Sequence, residues 1–136
     1  MAIIDADAHV VEIDETWEYL APNEREYKPG VVYEKLETGE TLKFWVIGDQ
    51  RVPTPWPGGG SLSDAITGTF LDNVPLDVKA KYMLDVDARV AHMDELGTDI
   101  QVLFPTLWVH PLTDRPAIET ALCRSYNRWM ADIHSQ

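Results

Sequence analysis

Residues 3–12, Ile3-Ile4-Asp5-Ala6-Asp7-Ala8-His9-Val10-Val11-Glu12, decide how the rest of the chain is read. From Ala2 to Val10 apolar and polar residues alternate, as in a strand. Ile4, Ala6, Ala8 and Val10 then share one face and Asp5, Asp7 and His9 the other. A half-buried strand turns such a polar face to water, and the stretch alone leaves that reading open. In a parallel sheet covered by helices the Asp/His face points into the interior instead, where carboxylates without partners are costly. A metal ion resolves that cost. Side chains at i and i+2 start about 7 Å apart at the backbone and can converge on one cation, and Asp oxygen and His nitrogen ligate zinc and manganese-like ions. Asp7 and His9 lie nearest the C-terminal end of the strand, where parallel α/β folds place their sites.

Working outward, Ile13, Trp17 and Leu20 fall at i, i+4 and i+7, which predicts a short helical segment over 12–20, closed by Pro22. Residues 31–37 and 42–47 are rich in β-branched and aromatic residues and flank Gly39, as in a hairpin. From Gly48 to Pro75 come three spaced prolines and Gly58-Gly59-Gly60, a long excursion that reads as a lid-like insertion anchored by Trp56 and Phe70. Val86, Val90, Met93 and Leu96 then repeat at helical spacing between Asp85, a candidate N-cap, and Gly97, a candidate C′ glycine. Ile100 to Phe104 is nearly all apolar and predicts a strand buried on both faces. After Asp114 and Pro116, the stripe Ile118, Leu122, Tyr126, Trp129 and Ile133 marks a final helix. The order is βαβα, an α/β class. The chain reads as one partial domain over 1–136, with a metal-motif strand in 1–12, hairpin and insertion in 30–75, and helix-strand-helix in 83–136.

The 136 residues carry 11 Lys+Arg against 23 Asp+Glu, a formal net charge of −12, and 45% are apolar. Such a surplus of negative charge disfavours phosphate backbones and anionic lipid surfaces, so neither nucleic acid nor membrane is expected as a partner. No run approaches the roughly 20 apolar residues of a membrane span. The N-terminus lacks the basic and apolar regions of a signal peptide. Cys123, the single cysteine, excludes an internal disulfide and reads as packing. A cytoplasmic location is the expectation.

Three blocks, IIDADAHVVE at 3–12, RVAHMDELG followed by TDIQVLFPT at 89–106, and ALCRSYNRWMAD at 121–132, together resemble the N-terminal part of the amidohydrolase-related family, in its aminocarboxymuconate-semialdehyde decarboxylase-like branch. That resemblance implies a (β/α)8 TIM barrel with divalent metal, zinc or manganese, at its C-terminal mouth. It further implies a metal-dependent hydrolase or non-oxidative decarboxylase of a small carboxylic or aromatic acid. The family's first motif is H-x-H at the end of the first strand. Here His9 matches the second histidine and Asp7 stands where the first would be, an acidic variant similar to the decarboxylase branch. In a hydrolase the cation would activate water. In a decarboxylase it would hold the substrate carboxylate.

Asp7 and His9 are thus the metal candidates, and Glu12, Trp56, Thr106 and His110 are candidates for outer-sphere or substrate contact. Three of these have a plainer reading: Glu12 in the first turn of a helix, where a carboxylate favours the dipole, His110 solvated in a loop, and Trp56, like Trp108, in core packing. Arg124, Asn127 and Arg128 are read as contacts to neighbouring elements or solvent, and His92 and His134 as surface residues. A barrel takes about 250 residues, so this chain is expected to supply the first β/α units of an incomplete barrel and to act as a homo-oligomer or beside a complementing chain. A helix end near Gln136 without Gly or Pro is expected to be a truncation. The alternative is a non-catalytic remnant that oligomerises without metal turnover.

Overall fold

The computed structural model describes residues 1–35, 37, 39, 41–53, 77–106, 108 and 111–135. The expectations for Trp56, for His110 and for most of the insertion lie outside the described residues. Within them the chain is a mixed α/β structure whose strands form two small sheets and no closed barrel. Strand β1 (Ile4–Val10) pairs in parallel with β5 (Ile100–Pro105), and β2 (Gly30–Lys35), β3 (Thr41–Ile47) and β4 (Gln50–Pro53) form an antiparallel meander. Among the described residues three α-helices follow the meander: α1 (Val78–Lys81), α2 (Val86–Leu96) and α3 (Pro116–His134).

The expected hairpin is present, with Gly30 opposite Val46 and Lys35 opposite Thr41. It gains β4, so the excursion expected from Gly48 opens as a third strand with Pro53 on its edge, where a missing N–H costs no ladder bond. Gly48 turns β3 into β4 at φ 63°, and a Cβ there would stand 3.1 Å from Ile118 Cδ1. Gly48→Ala is therefore expected to lower unfolding free energy by about 1–2 kcal/mol, through left-handed strain and crowding together. A urea titration would show the midpoint falling with the slope unchanged.

The short helical segment expected over 12–20 is a 3-10 helix, Asp14–Tyr19, tighter than the i, i+4, i+7 spacing suggests, and a second 3-10 helix, Pro22–Tyr27, follows it. Thr16 Oγ1 accepts from the Ile13 N–H and Pro22 ends the run, so there is room for only a short i→i+3 piece. Ile13, Trp17 and Leu20 are nonetheless all buried. Helix α2 has the expected ends. Asp85 accepts from the Ala88 N–H at 3.2 Å, and Gly97 sits in the left-handed region with the Thr98 N–H reaching the Met93 carbonyl, a Schellman closure. Its apolar stripe does not behave as expected. Val90 and Leu96 are exposed, and the buried residue is Arg89.

Helix α3 carries the core. Ile118, Ala121 and Leu122 join Trp17, Leu20, Trp45, Ile47 and Leu112 in one cluster, while Trp129 and Ile133 join Val10, Ile13 and Tyr82 in a second. The expected stripe is the buried face of this helix, Tyr126 included at its margin. Its other side is tied down by ions and hydrogen bonds: Arg124 to Glu24, Arg128 to the Tyr19 carbonyl, and the Tyr19 hydroxyl to Asp132. Arg124 holds the Glu24 carboxyl below the usual carboxylate range. Cys123, expected in packing, is exposed, because it lies one position off the stripe.

Strand β5 corrects a larger expectation. It is not buried on both faces: Ile100, Val102 and Phe104 are 47%, 44% and 42% exposed, alternating with half-buried Gln101, Leu103 and Pro105. Arg89 of α2 reaches Gln101, and Trp129 and Ile133 of α3 pack with Val10, all on one side of the two-stranded sheet, and among the described residues no helix covers the other side of β5.

Candidate functional site

The β1–β5 register places the candidate residues. Asp5 pairs with Gln101, but Ala8 pairs with Leu103, so three residues of β1 pass two of β5 and a bulge lies between Asp5 and Ala8. Gln101 and Leu103 share one face of β5, so Asp5, Ala8 and Val10 share the corresponding face of β1, the helix-covered one. His9 pairs with Phe104 on the open face. The expected alternation of Asp5, Asp7 and His9 along one face is thus broken. Asp5 is turned toward Gln101, whose Nε2 donates to Asp5 Oδ2 at 3.1 Å.

Asp7 and His9 remain together. His9 Nε2 lies 3.5 Å from Asp7 Oδ1, with the side chains 41% and 89% exposed, and the imidazole faces the Phe104 ring at 6.3 Å between centroids. Two donors each about 2.0–2.2 Å from a tetrahedral zinc stand about 3.3–3.6 Å apart, and the pair has that separation. Imidazole with carboxylate is a donor set zinc and manganese both accept. Among the described residues there is no group of three or more His, Cys, Asp or Glu that could hold a metal. The pair offers two of the four donors that a tetrahedral ion takes.

Glu12 lies two residues past the end of β1, before the first 3-10 helix, and not in a helical first turn as its plainer reading had it. Its side chain is 2% exposed. The carboxylate accepts the N–H of Thr106 and the N–H of Trp108, both at 3.2 Å. Thr106 adds two bonds to the Val10 carbonyl, from its N–H at 3.1 Å and its hydroxyl at 2.9 Å. The ends of the two parallel strands are therefore knotted through Thr106, with Glu12 as the second anchor. Glu119 holds the same connection further on, accepting from the Trp108 indole N–H at 3.0 Å and the Leu112 N–H. Trp108 packs tilted against Trp17, ring centroids 4.8 Å apart, so it lies half-buried against the core. Burial pushes the Tyr126 hydroxyl well above its ordinary pKa, and the Glu12 charge adds to that.

The remaining histidines stand apart. His92 is half-buried on α2 with Glu95 at 3.7 Å, and His134 is exposed at the end of α3. Three residues that sequence reasoning passed over now matter: Arg89, Gln101 and Glu119. Arg89 Nη2 donates to the His9 carbonyl at 3.3 Å and its Nε to Gln101 Oε1 at 2.8 Å. A charged residue in the buried row of α2 was the only signal available, and helical spacing alone does not tell that row from a solvated one.

The sequence matches no protein-family model and no curated protein. Among the described residues no helix is long and apolar enough to cross a membrane.

Proposed function

We propose that this chain is the N-terminal part of an amidohydrolase-related metalloenzyme, a hydrolase or non-oxidative decarboxylase of a small carboxylic or aromatic acid, with Asp7 and His9 as two ligands of a zinc or manganese ion. The observation that carries the reading is the pair itself: two donors at metal-bite separation, at the C-terminal end of a parallel strand, on a sheet face that no helix among the described residues covers. The bound ion would supply Lewis acidity toward a substrate oxygen. Phe104 gives the pair an apolar wall, and Glu12 fixes the loop that leaves β5 beside it.

Completion of a barrel by further strands is part of the same proposal. Its support is physical: among the described residues β1 and β5 each have one unpaired edge, and the exposed Ile100, Val102 and Phe104 face is of the kind a larger sheet covers. The missing ligands would come from those strands, in a second copy or a complementing chain.

Zinc or manganese titration followed by calorimetry tests the ligand pair. The chain is expected to bind one ion, and His9→Ala to weaken binding at least 100-fold, since it removes a direct ligand from a site with few. Metal retained at full affinity after that substitution would sink the assignment. A chain that self-associates but binds no ion would favour a non-catalytic interaction module.

A further inference from the structure

Behind the sheet, on the face away from Asp7 and His9, four groups form a continuous polar chain. Gln101 Nε2 donates to Asp5 Oδ2, Arg89 Nε donates to Gln101 Oε1, and Arg89 Nη2 donates to the backbone carbonyl of His9. Arg89 Nη1 also donates to the Ala80 carbonyl at 3.3 Å, which ties in the end of α1. Arg89 is 7% exposed. A guanidinium taken that far from water is costly unless its donors and its charge are both met. Each of its three nitrogens donates to one of these three oxygens, which meets three of its five N–H groups. Its charge is met across the Gln101 amide by Asp5, whose field acts against the effect of burial on Arg89.

The bulge makes this arrangement possible. In a regular strand Asp5 would share a face with Asp7 and His9. The extra residue between Asp5 and Ala8 reverses the parity, so Asp5 is delivered to the back, under Arg89, while His9 stays on the open front. Arg89 then grips the peptide of the very residue whose ring faces forward. A planar fork bonded at both ends holds that peptide in one orientation, as a single flexible ammonium would not.

We propose that the bulge divides the two aspartates of β1 between two tasks: Asp7 remains with His9 to bind the cation, and Asp5 balances Arg89, a positioning residue that fixes the His9 peptide and so aims its imidazole. This rests on reading Asp7 and His9 as metal ligands, and it assigns a role to a buried cation that touches neither the metal nor a substrate.

Two readouts on the same protein test it. In the metal-free chain, the ring proton signals of His9, assigned by their loss in His9→Ala, are expected to move in Arg89→Lys as the ring leaves its place beside Phe104. They should stay in place in Ile118→Val, which trims the other core cluster without touching β1. With zinc added, affinity is expected to fall about tenfold in Arg89→Lys, the scale of losing an outer support of a ligand, and to be unchanged in Ile118→Val. Ring signals that do not move, or an affinity that falls equally in both variants, would overturn the positioning role and leave Arg89 as a helix-docking residue. An unsubstituted chain that binds no zinc, or binding that survives His9→Ala, overturns the ligand reading instead, while the ring signals still decide whether Arg89 aims His9. Should Arg89→Lys not fold, Gln101→Ala opens the same fork at its Nε end, and the ring signals and zinc affinity are read as before.

Discussion

Trp17→Ala is expected to cost about 3–5 kcal/mol of unfolding free energy, enough to unfold a domain of ordinary stability. Trp17 is 1% exposed and lies between Trp45, edge-on at 6.2 Å, and Trp108, tilted at 4.8 Å. Its removal leaves a cavity that two rigid rings cannot collapse into, and cavity volume is what separates costly from cheap truncations. Trp17→Phe should behave very differently. The Trp17 indole N–H is buried with no hydrogen-bond partner among the described residues, so the native state already carries a desolvation cost of about 1–3 kcal/mol. Phenylalanine loses area but also removes that cost, and a net change below about 1.5 kcal/mol is expected. Chemical denaturation of the two variants side by side decides it. Equal losses would mean that the indole N–H is satisfied in solution.

The second large effect is at Glu12. In Glu12→Ala the N–H of Trp108 loses the acceptor it has, and the N–H of Thr106 keeps only the Val10 carbonyl. A buried donor left unmade costs about 1–3 kcal/mol, more where the lost acceptor was charged, so a total of about 2–4 kcal/mol is expected. Glu12→Gln keeps one acceptor oxygen but turns an NH2 toward a second N–H, and should fall between. Amide hydrogen exchange separates this from a general loss of stability. Thr106 and Trp108 should exchange faster than the global change predicts, while the β2–β3 ladder follows it. Uniform acceleration would mean that Glu12 supports the core and not the loop.

Elements whose signals are local were legible in the sequence. The caps of α2 are two residues and a φ angle, and the stripe of α3 is a repeat that any core facing it must use. The hairpin follows from composition and a glycine turn. What was not legible depends on what stands opposite. Ile100, Val102 and Phe104 read as buried because apolar runs usually are, yet they are exposed, and among the described residues only one face of β5 is covered. Glu12 meets Thr106 across 94 residues of sequence, which no spacing rule encodes. The donor pair Asp7 and His9 was legible because i, i+2 on a strand survives as long as no irregularity falls between the two residues. Asp5 was misplaced because one does fall between it and them.

That irregularity is a shift of phase in a two-beat pattern, and phase is changed by adding or removing a residue, never by exchanging one. Substitutions along 4–10 can weaken or strengthen the groups on each face but cannot move a group across. A single-residue deletion at Ala6 would bring the upstream aspartate round to the front and leave Arg89 without its counter-charge. Two strands that share the letters Asp-x-Asp-x-His can therefore present different carboxylates to the same ion. Aligning such strands without a gap would equate residues that stand on opposite sides of the sheet.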